Sequence, residues 1–148
     1  TSNERGIKVM CSARMDADFI YEAYRLGAGA VLYSGCHPQD CHYITGQIVG
    51  AKRAKRLETI FQRLGMTPGR FRVEWISAAE GDKYARVLNE MQAVLDAIPE
   101  EELLAEIDRI KPDVTKRLTR LPNIPGVQAA MDHSDVMVKT ILMKEKVA

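Results

Sequence analysis

The chain has 148 residues, of which 46% are hydrophobic and 28% are charged, and its net charge is +1. These values are ordinary for one globular domain with a hydrophobic core of its own. The balanced charge gives no reason to expect a nucleic-acid partner, and no apolar run approaches the ~18 residues of a membrane helix.

The first part of the chain alternates short apolar runs with amphipathic segments. Residues 6–10 read as a short buried strand, and residues 16–26 as a helix whose apolar face includes Phe19 and Ile20. Residues 30–33 form a second strand, apolar without alternation, as expected when both faces are buried. The order strand, helix, strand with short links predicts a parallel pair with a right-handed crossover.

The same alternation continues further along the chain. Residues 47–64 predict a second helix, and residues 70–77 a third strand. A third helix is expected to start near Ala79, where Ser77 and Glu80 have the spacing of a capping box. The predicted fold class is therefore α/β, with a small parallel sheet of βαβαβα order layered by helices.

The composition changes near Pro99. This proline opens a helix that is expected to run to Ile110 and to end at Pro112. Residues 121–126 read as a loop, and residues 127–146 as a further helix.

Two regions follow from this change. We predict an α/β domain at residues 1–98, which contains every cysteine of the chain, and a helical C-terminal extension at residues 99–148. The extension is either an arm that binds a partner or a set of helices packed on the same domain.

All three cysteines fall within the first 41 residues. Cys11 and Cys36 each follow a predicted strand, and Cys41 closes the same short run as Cys36. Because the carboxyl ends of parallel strands share one edge, Cys11 and Cys36 are expected on the same rim of the sheet. An odd count excludes a complete disulfide framework, and the polar N-terminus has no signal-peptide core. Reduced thiols in the cytoplasm are therefore expected.

Three thiols on one rim can hold a metal centre. The gap between Cys36 and Cys41 recurs in plant-type [2Fe-2S] loops, but such a cluster needs four ligands. The fourth could be His37, His42, a segment before Thr1 or another chain, although each histidine alone is more often a hydrogen-bonded turn residue. A zinc site with three cysteines and one histidine fits the same residues. A thiol–disulfide pair of Cys36 and Cys41 ranks last, because it lacks the usual two-residue spacing.

One basic run stands out at Lys52–Arg56, directly before the apolar stripe of the second predicted helix. No glycine-rich phosphate cradle accompanies it. The run therefore reads as the solvated face of an amphipathic helix, with a docking surface for an acidic partner as the second interpretation.

Three motifs together point to one protein family. They are VMCSAR at 9–14, GCHPQDCHY at 35–43 and EWISAAEG at 74–81. In their order and spacing, residues from about 7 to 95 resemble the delta subunit family of methyl-viologen-reducing hydrogenase. The resemblance implies a non-catalytic electron-transfer subunit with a [2Fe-2S] cluster, for which Cys11, Cys36 and Cys41 are the ligand candidates.

The same resemblance implies partners. Family members pass electrons from a hydrogenase or formate dehydrogenase to the flavin-bearing A subunit of heterodisulfide reductase, and the module also occurs fused to that flavoprotein. Members usually carry a cysteine-containing segment upstream of the Met-Cys-Ser motif, whereas ten residues precede Cys11 here. The alternative is a cluster-less structural adaptor, or a zinc-bound subunit, of the same kind of complex.

Overall fold

A computed structural model describes residues 4–118, with side chains as far as residue 110. The predictions for residues 121–126 and 127–146 lie outside the described residues. In chain order the elements are helix α1 (Ala17–Arg25), strand β1 (Val31–Gly35), helix α2 (Gly46–Arg63), strand β2 (Phe71–Trp75), helix α3 (Gly81–Ala97) and helix α4 (Glu100–Leu118).

The two strands pair in parallel, with Val31 opposite Phe71 and Gly35 opposite Trp75. Helix α2 is the crossover between them, so both strands end at the same edge of the sheet. The predicted α/β class and small parallel sheet are thus confirmed, and Cys36 follows directly from the end of β1. The parallel pair forms across α2, whereas the crossover predicted through residues 16–26 does not form.

The strand predicted at residues 6–10 is absent, and among the described residues the sheet contains only β1 and β2. A strand requires a ladder of backbone hydrogen bonds to a neighbour. Instead, a cavity of about 350 Å³ lies between this segment, β1, α1 and α3. The observed order is therefore αβαβαα rather than βαβαβα, and Cys11 is not positioned by a strand.

The core forms where α1 and α2 meet. Tyr21 and Tyr24 of α1 pack edge-on against Phe61 of α2, with ring centroids 5.5 and 5.3 Å apart. Phe19, predicted for the buried face of α1, is 59% exposed. Ile20, on the same predicted face, is buried as expected, and the tyrosines join it in the core. The Tyr24 hydroxyl donates to the Arg70 carbonyl oxygen at 2.9 Å, which satisfies it there.

The third helix begins at Gly81, two residues later than the sequence predicts. The predicted contact between Ser77 and Glu80 is present, since the Ser77 amide donates to Glu80 Oε2 at 2.7 Å. This contact closes the turn between β2 and α3, so the start of α3 lies at the same edge of the sheet as Cys36.

The start of α4 packs on the domain. Ile107 and Ile110 are buried, and α4 contacts α1. Glu106 forms an ion pair with Arg70, and both side chains are almost fully buried. Residues 100–110 therefore pack on the same domain, whereas the boundary at residue 98 remains a prediction.

Helix α4 continues to Leu118, so the prediction that Pro112 ends it is wrong. A proline removes a single amide donor from the helix, and the turns on either side can keep their own hydrogen bonds. Within the described part of the chain, no helix is long and apolar enough to cross a membrane.

Candidate functional site

The three cysteines meet at the N-terminus of α2. The amide of Gln47, in the first turn, donates to Cys41 Sγ at 3.2 Å. A Cβ placed on Gly46 would lie 2.5 Å from Cys11 Sγ and 3.6 Å from Cys41 Sγ, so both sulfurs lie against the bare face of this glycine. Cys36 lies near Cys41, since burial raises the pKa of the Cys36 thiol and the neighbouring Cys41 raises it further. All three thiols are free, without the Cys36–Cys41 disulfide that a redox pair would form.

A tight loop returns the chain from Cys36 to α2. It contains the 3-10 turn Pro38–Asp40 and a second turn in which the Ile44 amide donates to the Cys41 carbonyl oxygen at 2.9 Å. Ile44 has a φ of 57°, a left-handed conformation that β-branched residues rarely adopt. Backbone strain of this kind concentrates in functional loops, and here it accompanies the reversal that brings the start of α2 against Cys41.

Cys11 reaches the site along the side of α2. The chain continues from Cys11 into the 3-10 turn Ser12–Arg14. Ser12 packs between Gly35 and Gly50. A Cβ on Gly35 would lie 2.8 Å from the Ser12 Cβ, and one on Gly50 would lie 2.9 Å from Ser12 Oγ. Distances below 3.0 Å leave no room for a side chain, so both glycines are needed for this close packing.

Side chains from β1 and α2 hold residues 11–15 in place, whereas a strand would be held by backbone hydrogen bonds to its neighbour. The Tyr33 hydroxyl of β1 donates to the Ser12 carbonyl oxygen at 2.6 Å. The Arg53 guanidinium of α2 donates to the carbonyl oxygens of Ala13 and, at 3.4 Å, Met15. The Cys11 loop is thereby fixed from both the sheet and the helix.

The electrostatics of the loop distinguish its two thiols. The Gln47 amide lowers the pKa of the Cys41 thiol, and the amides of Tyr43 and Gly46 act in the same direction. This effect is expected at the positive end of a helix. Burial raises the pKa of the Cys36 thiol, and its hydrogen bond with Cys41 raises it further. Cys41 is therefore the member of the pair that ionises first.

Both histidines have partners of their own. His37 Nε2 lies 2.6 Å from Glu80 Oε2. The Ser77 amide first, and then His37, hold the pKa of the Glu80 carboxyl below its usual range. The His42 ring packs edge-on against Tyr43, with centroids 5.0 Å apart. His37 therefore contacts a carboxylate, and His42 contacts a neighbouring aromatic ring.

The donor set suits a sulfur-ligated group. Soft thiolates select iron–sulfur clusters and zinc, and the absence of a side chain at Gly46 lets two of the sulfurs lie against the start of α2. Ser12 Oγ, next to Cys11 in the chain, is buried without a hydrogen-bond partner among the described residues. Within residues 4–110, no three His, Cys, Asp or Glu side chains are grouped so that they could hold a metal ion. Cys11 and Cys41 share the start of α2, and the three thiols remain the ligand candidates that the sequence suggests.

Sequence reasoning missed the residues that hold Cys11 in place. It interpreted Lys52–Arg56 as a solvated face, whereas Arg53 is half-buried and bonded to the Cys11 segment. A signal was available in the spacing of Gly46, Gly50 and Arg53, which share one face of α2 at helical intervals. Nothing in the local pattern, however, says which segment that face contacts.

A model of the family described as methyl-viologen-reducing hydrogenase, delta subunit, matches residues 1–98. The chain is also similar to an iron-sulfur subunit of the F420-non-reducing hydrogenase of Archaeoglobus profundus. The two are 43% identical over 89 residues, which cover 60% of this chain and 65% of the relative. The vhc iron-sulfur subunit of the F420-non-reducing hydrogenase of Methanococcus voltae is 39% identical over 94 residues, 64% of this chain and 65% of the relative.

A second kind of relative is much longer. It is a subunit of the ferredoxin:CoB-CoM heterodisulfide reductase of Methanosarcina mazei, and it is 41% identical to this chain over 97 residues. This match covers 66% of the chain but only 12% of the relative. The chain thus spans less than two thirds of each of these relatives, and the shared unit coincides with the α/β part that carries the cysteines.

Proposed function

Because this chain belongs to the methyl-viologen-reducing hydrogenase delta subunit family, we propose that it is an electron-transfer protein that carries a [2Fe-2S] cluster. It relays electrons between a hydrogenase or formate dehydrogenase and a heterodisulfide-reductase-type flavoprotein. The convergence of Cys11, Cys36 and Cys41 on the N-terminus of α2 carries this proposal.

The residues of this chain would bind the cluster and stabilise the negative charge of its thiolate ligands. A bound cluster supplies reversible one-electron reduction, so each electron taken from the donor leaves to the acceptor and no covalent bond changes. The three thiolates carry negative charge, and the first amides of α2 stabilise that charge at Cys41. Gly46 allows the sulfurs to approach the helix end, where a larger residue would displace them.

The names of the relatives support the proposed partners. Two of them are iron–sulfur subunits of hydrogenases, and another carries the matching unit inside a heterodisulfide reductase. A unit that exists both as a separate hydrogenase component and as part of a heterodisulfide reductase suits a relay between the two. A formate dehydrogenase as donor follows from the family resemblance.

The ligand assignment is tested by replacing each cysteine singly with serine in the full chain. We expect each variant to lose or alter the electron paramagnetic resonance (EPR) signal of the reduced cluster. Met10→Ser is the matched control, because Met10 is the neighbour of Cys11 and 80% exposed; its signal should equal that of the wild type. An unchanged signal in all three cysteine variants would overturn the proposal.

The fourth ligand is tested by the same measurement. We expect His37→Ala or His42→Ala to shift the signal if that histidine is a ligand, and neither to do so if another segment or chain supplies the ligand. Metal analysis of the same samples separates the alternatives. Stoichiometric zinc without iron would identify a zinc-bound protein, and an intact assembly without either metal would identify a structural adaptor.

A further inference from the structure

Arg53 differs from the other cations of its run. Lys52, Lys55 and Arg56 are exposed, as a solvated helix face requires, whereas Arg53 is half-buried against the Cys11 segment. We propose that Arg53 is a positioning residue, which fixes Cys11 relative to the other two thiols and places a positive charge beside the site. The electron-transfer part of this inference rests on the proposed function; the positioning part does not.

The contacts of α2 with the Cys11 segment follow the helix turn by turn. Gly46 faces Cys11 Sγ, and Gly50 faces Ser12 Oγ. One turn further, Arg53 donates to the next carbonyl groups, those of Ala13 and Met15. The two glycines allow close approach but form no bond, so on the helix side Arg53 supplies the hydrogen bonds that hold the segment.

These bonds matter because the segment before Cys11 lacks a strand partner. The bonds within the turn are short-range: the Ala13 amide donates to Cys11 Sγ at 3.5 Å, the Arg14 amide to the Cys11 carbonyl oxygen at 2.9 Å and the Met15 amide to the Ser12 carbonyl oxygen at 3.1 Å. Such local bonds shape a turn but do not anchor it to the domain. The anchors are the Tyr33 hydroxyl on the sheet side and the Arg53 guanidinium on the helix side.

The charge of Arg53 lies close to the Cys11 segment, because its guanidinium donates to the carbonyl oxygen of Ala13, two residues after Cys11. Burial raises the pKa of Tyr33, which bonds to the same segment, and the cation of Arg53 acts against that rise. A cation near a redox group favours the reduced form, which carries one more negative charge. Loss of this charge therefore makes the group harder to reduce.

The test compares three variants of the full chain. Arg53→Gln removes the positive charge and most of the N–H donors of the guanidinium. Arg53→Lys keeps the charge but loses the planar arrangement of those donors. Arg56→Gln is the matched control, because it removes one arginine charge from an exposed position of the same helix. Two quantities are measured: the hydrogen-exchange rates of the Arg14 and Met15 amides in the iron-free chain, and the midpoint potential of the cluster in the loaded chain.

We expect Arg53→Gln to exchange these two amides at least several-fold faster than the wild type and to shift the midpoint potential to more negative values. Arg53→Lys should also exchange faster but keep a potential near that of the wild type, and Arg56→Gln should change neither quantity. Equal exchange rates in Arg53→Gln and Arg56→Gln would overturn the positioning role. Equal potentials in these two variants would overturn the electrostatic role.

The exchange measurement needs no cluster, so its outcome is independent of the proposed function. If the wild type contained no cluster, the proposed electron relay would be contradicted. The exchange rates would still decide whether Arg53 anchors the Cys11 segment. The core amides of the same samples guard against a folding defect, because a loss of global stability would accelerate exchange throughout the core rather than at Arg14 and Met15 alone.

Discussion

At the scale of single residues, the site depends on three glycines whose lack of a side chain allows close packing. Gly46 lets two sulfurs lie against the first turn of α2, and Gly35 and Gly50 let Ser12 pack between β1 and α2. None of these three glycines has a positive φ. Their role is therefore close approach rather than an unusual backbone conformation.

Gly46→Ala tests this role. The new Cβ would lie 2.5 Å from Cys11 Sγ, so Cys11 must move away. Overpacking typically costs about 1–3 kcal/mol, which exceeds the gain of up to about 1 kcal/mol from replacing glycine inside a helix. We expect a net loss in the free energy of unfolding, measured with urea, and weaker retention of iron.

Gly81→Ala is the control for this substitution. Gly81 is also the first residue of a helix, but a Cβ there would meet nothing within 4 Å. We expect this variant to be as stable as the wild type or slightly more so. Equal stability of both alanine variants would contradict the close packing at Gly46.

The two thiols of the loop should also differ in reactivity. The Gln47 amide lowers the pKa of Cys41, and burial raises that of Cys36. Because only thiolates react with iodoacetamide, Cys41 of the iron-free chain should be labelled faster at neutral pH, and the labelling of Cys36 should catch up as the pH rises. Mass spectrometry of the labelled peptides gives both rates. In urea the difference should vanish, and faster labelling of Cys36 in the folded chain would contradict the assignment.

At the scale of elements, a buried ion pair joins α4 to the sheet. The Arg70 side chain is fully buried and forms its ion pair with Glu106 of α4, while its Nε donates to the Gly29 carbonyl oxygen at 2.7 Å. The Thr67 amide donates to both Glu106 carboxylate oxygens at 3.2 and 3.1 Å. A buried charge of this kind requires its partner, so α4 is part of the domain that carries the cysteines.

Glu106→Gln should reveal how strongly this pair holds. The substitution leaves the Arg70 charge buried without a counter-charge, which typically costs about 3 kcal/mol or more. Glu102→Gln is the control, because Glu102 lies on the same helix but is exposed; surface changes of this kind stay within about 0.5 kcal/mol. Equal unfolding free energies for the two variants would show that α4 does not depend on the pair.

The effect of Glu106 should also depend on pH. Burial opposes its charge, but the bonds from Thr67 and Arg70 outweigh burial, so the pKa of the Glu106 carboxyl lies below its usual value. Its contribution to stability is then complete above the ordinary glutamate pKa of about 4.3 and is lost as the pH falls through the lower, folded-state pKa. The gap between wild type and Glu106→Gln should therefore be constant near neutral pH and shrink in acid.

At the scale of the whole molecule, the sequence predicts the small parallel sheet and the position of Cys36 well, whereas the crossover predicted through residues 16–26 does not form. The sheet and the position of Cys36 follow from apolar runs separated by a long amphipathic helix, a pattern that local chemistry specifies. The run at residues 6–10 has the same apolar character but forms no strand, because pairing depends on a neighbour that the run itself does not encode. On the predicted face of α1 only the placement of Phe19 is wrong, since Ile20 is buried, and Tyr24 joins the core where the Arg70 carbonyl oxygen accepts from its hydroxyl.

The sequence predicts the ligand candidates of the site but not the residues that hold Cys11 in place. Cys11, Cys36 and Cys41 are expected on one rim, and they do converge, yet Cys11 arrives along α2 rather than from the end of a strand. In the sequence Arg53 looks like one of several solvated cations, because its partners are carbonyl groups 38 and 40 residues earlier in the chain. Contacts of that sequence separation depend on the fold, so no local spacing identifies them.

The proposed function of this domain is electron transfer through a bound [2Fe-2S] cluster. The most direct measurement is the EPR spectrum of the dithionite-reduced full chain, prepared anaerobically, with the spins counted against protein. We predict the signal of a reduced [2Fe-2S] cluster at about one spin per chain. A folded chain that gives no such signal and contains no iron would contradict the account.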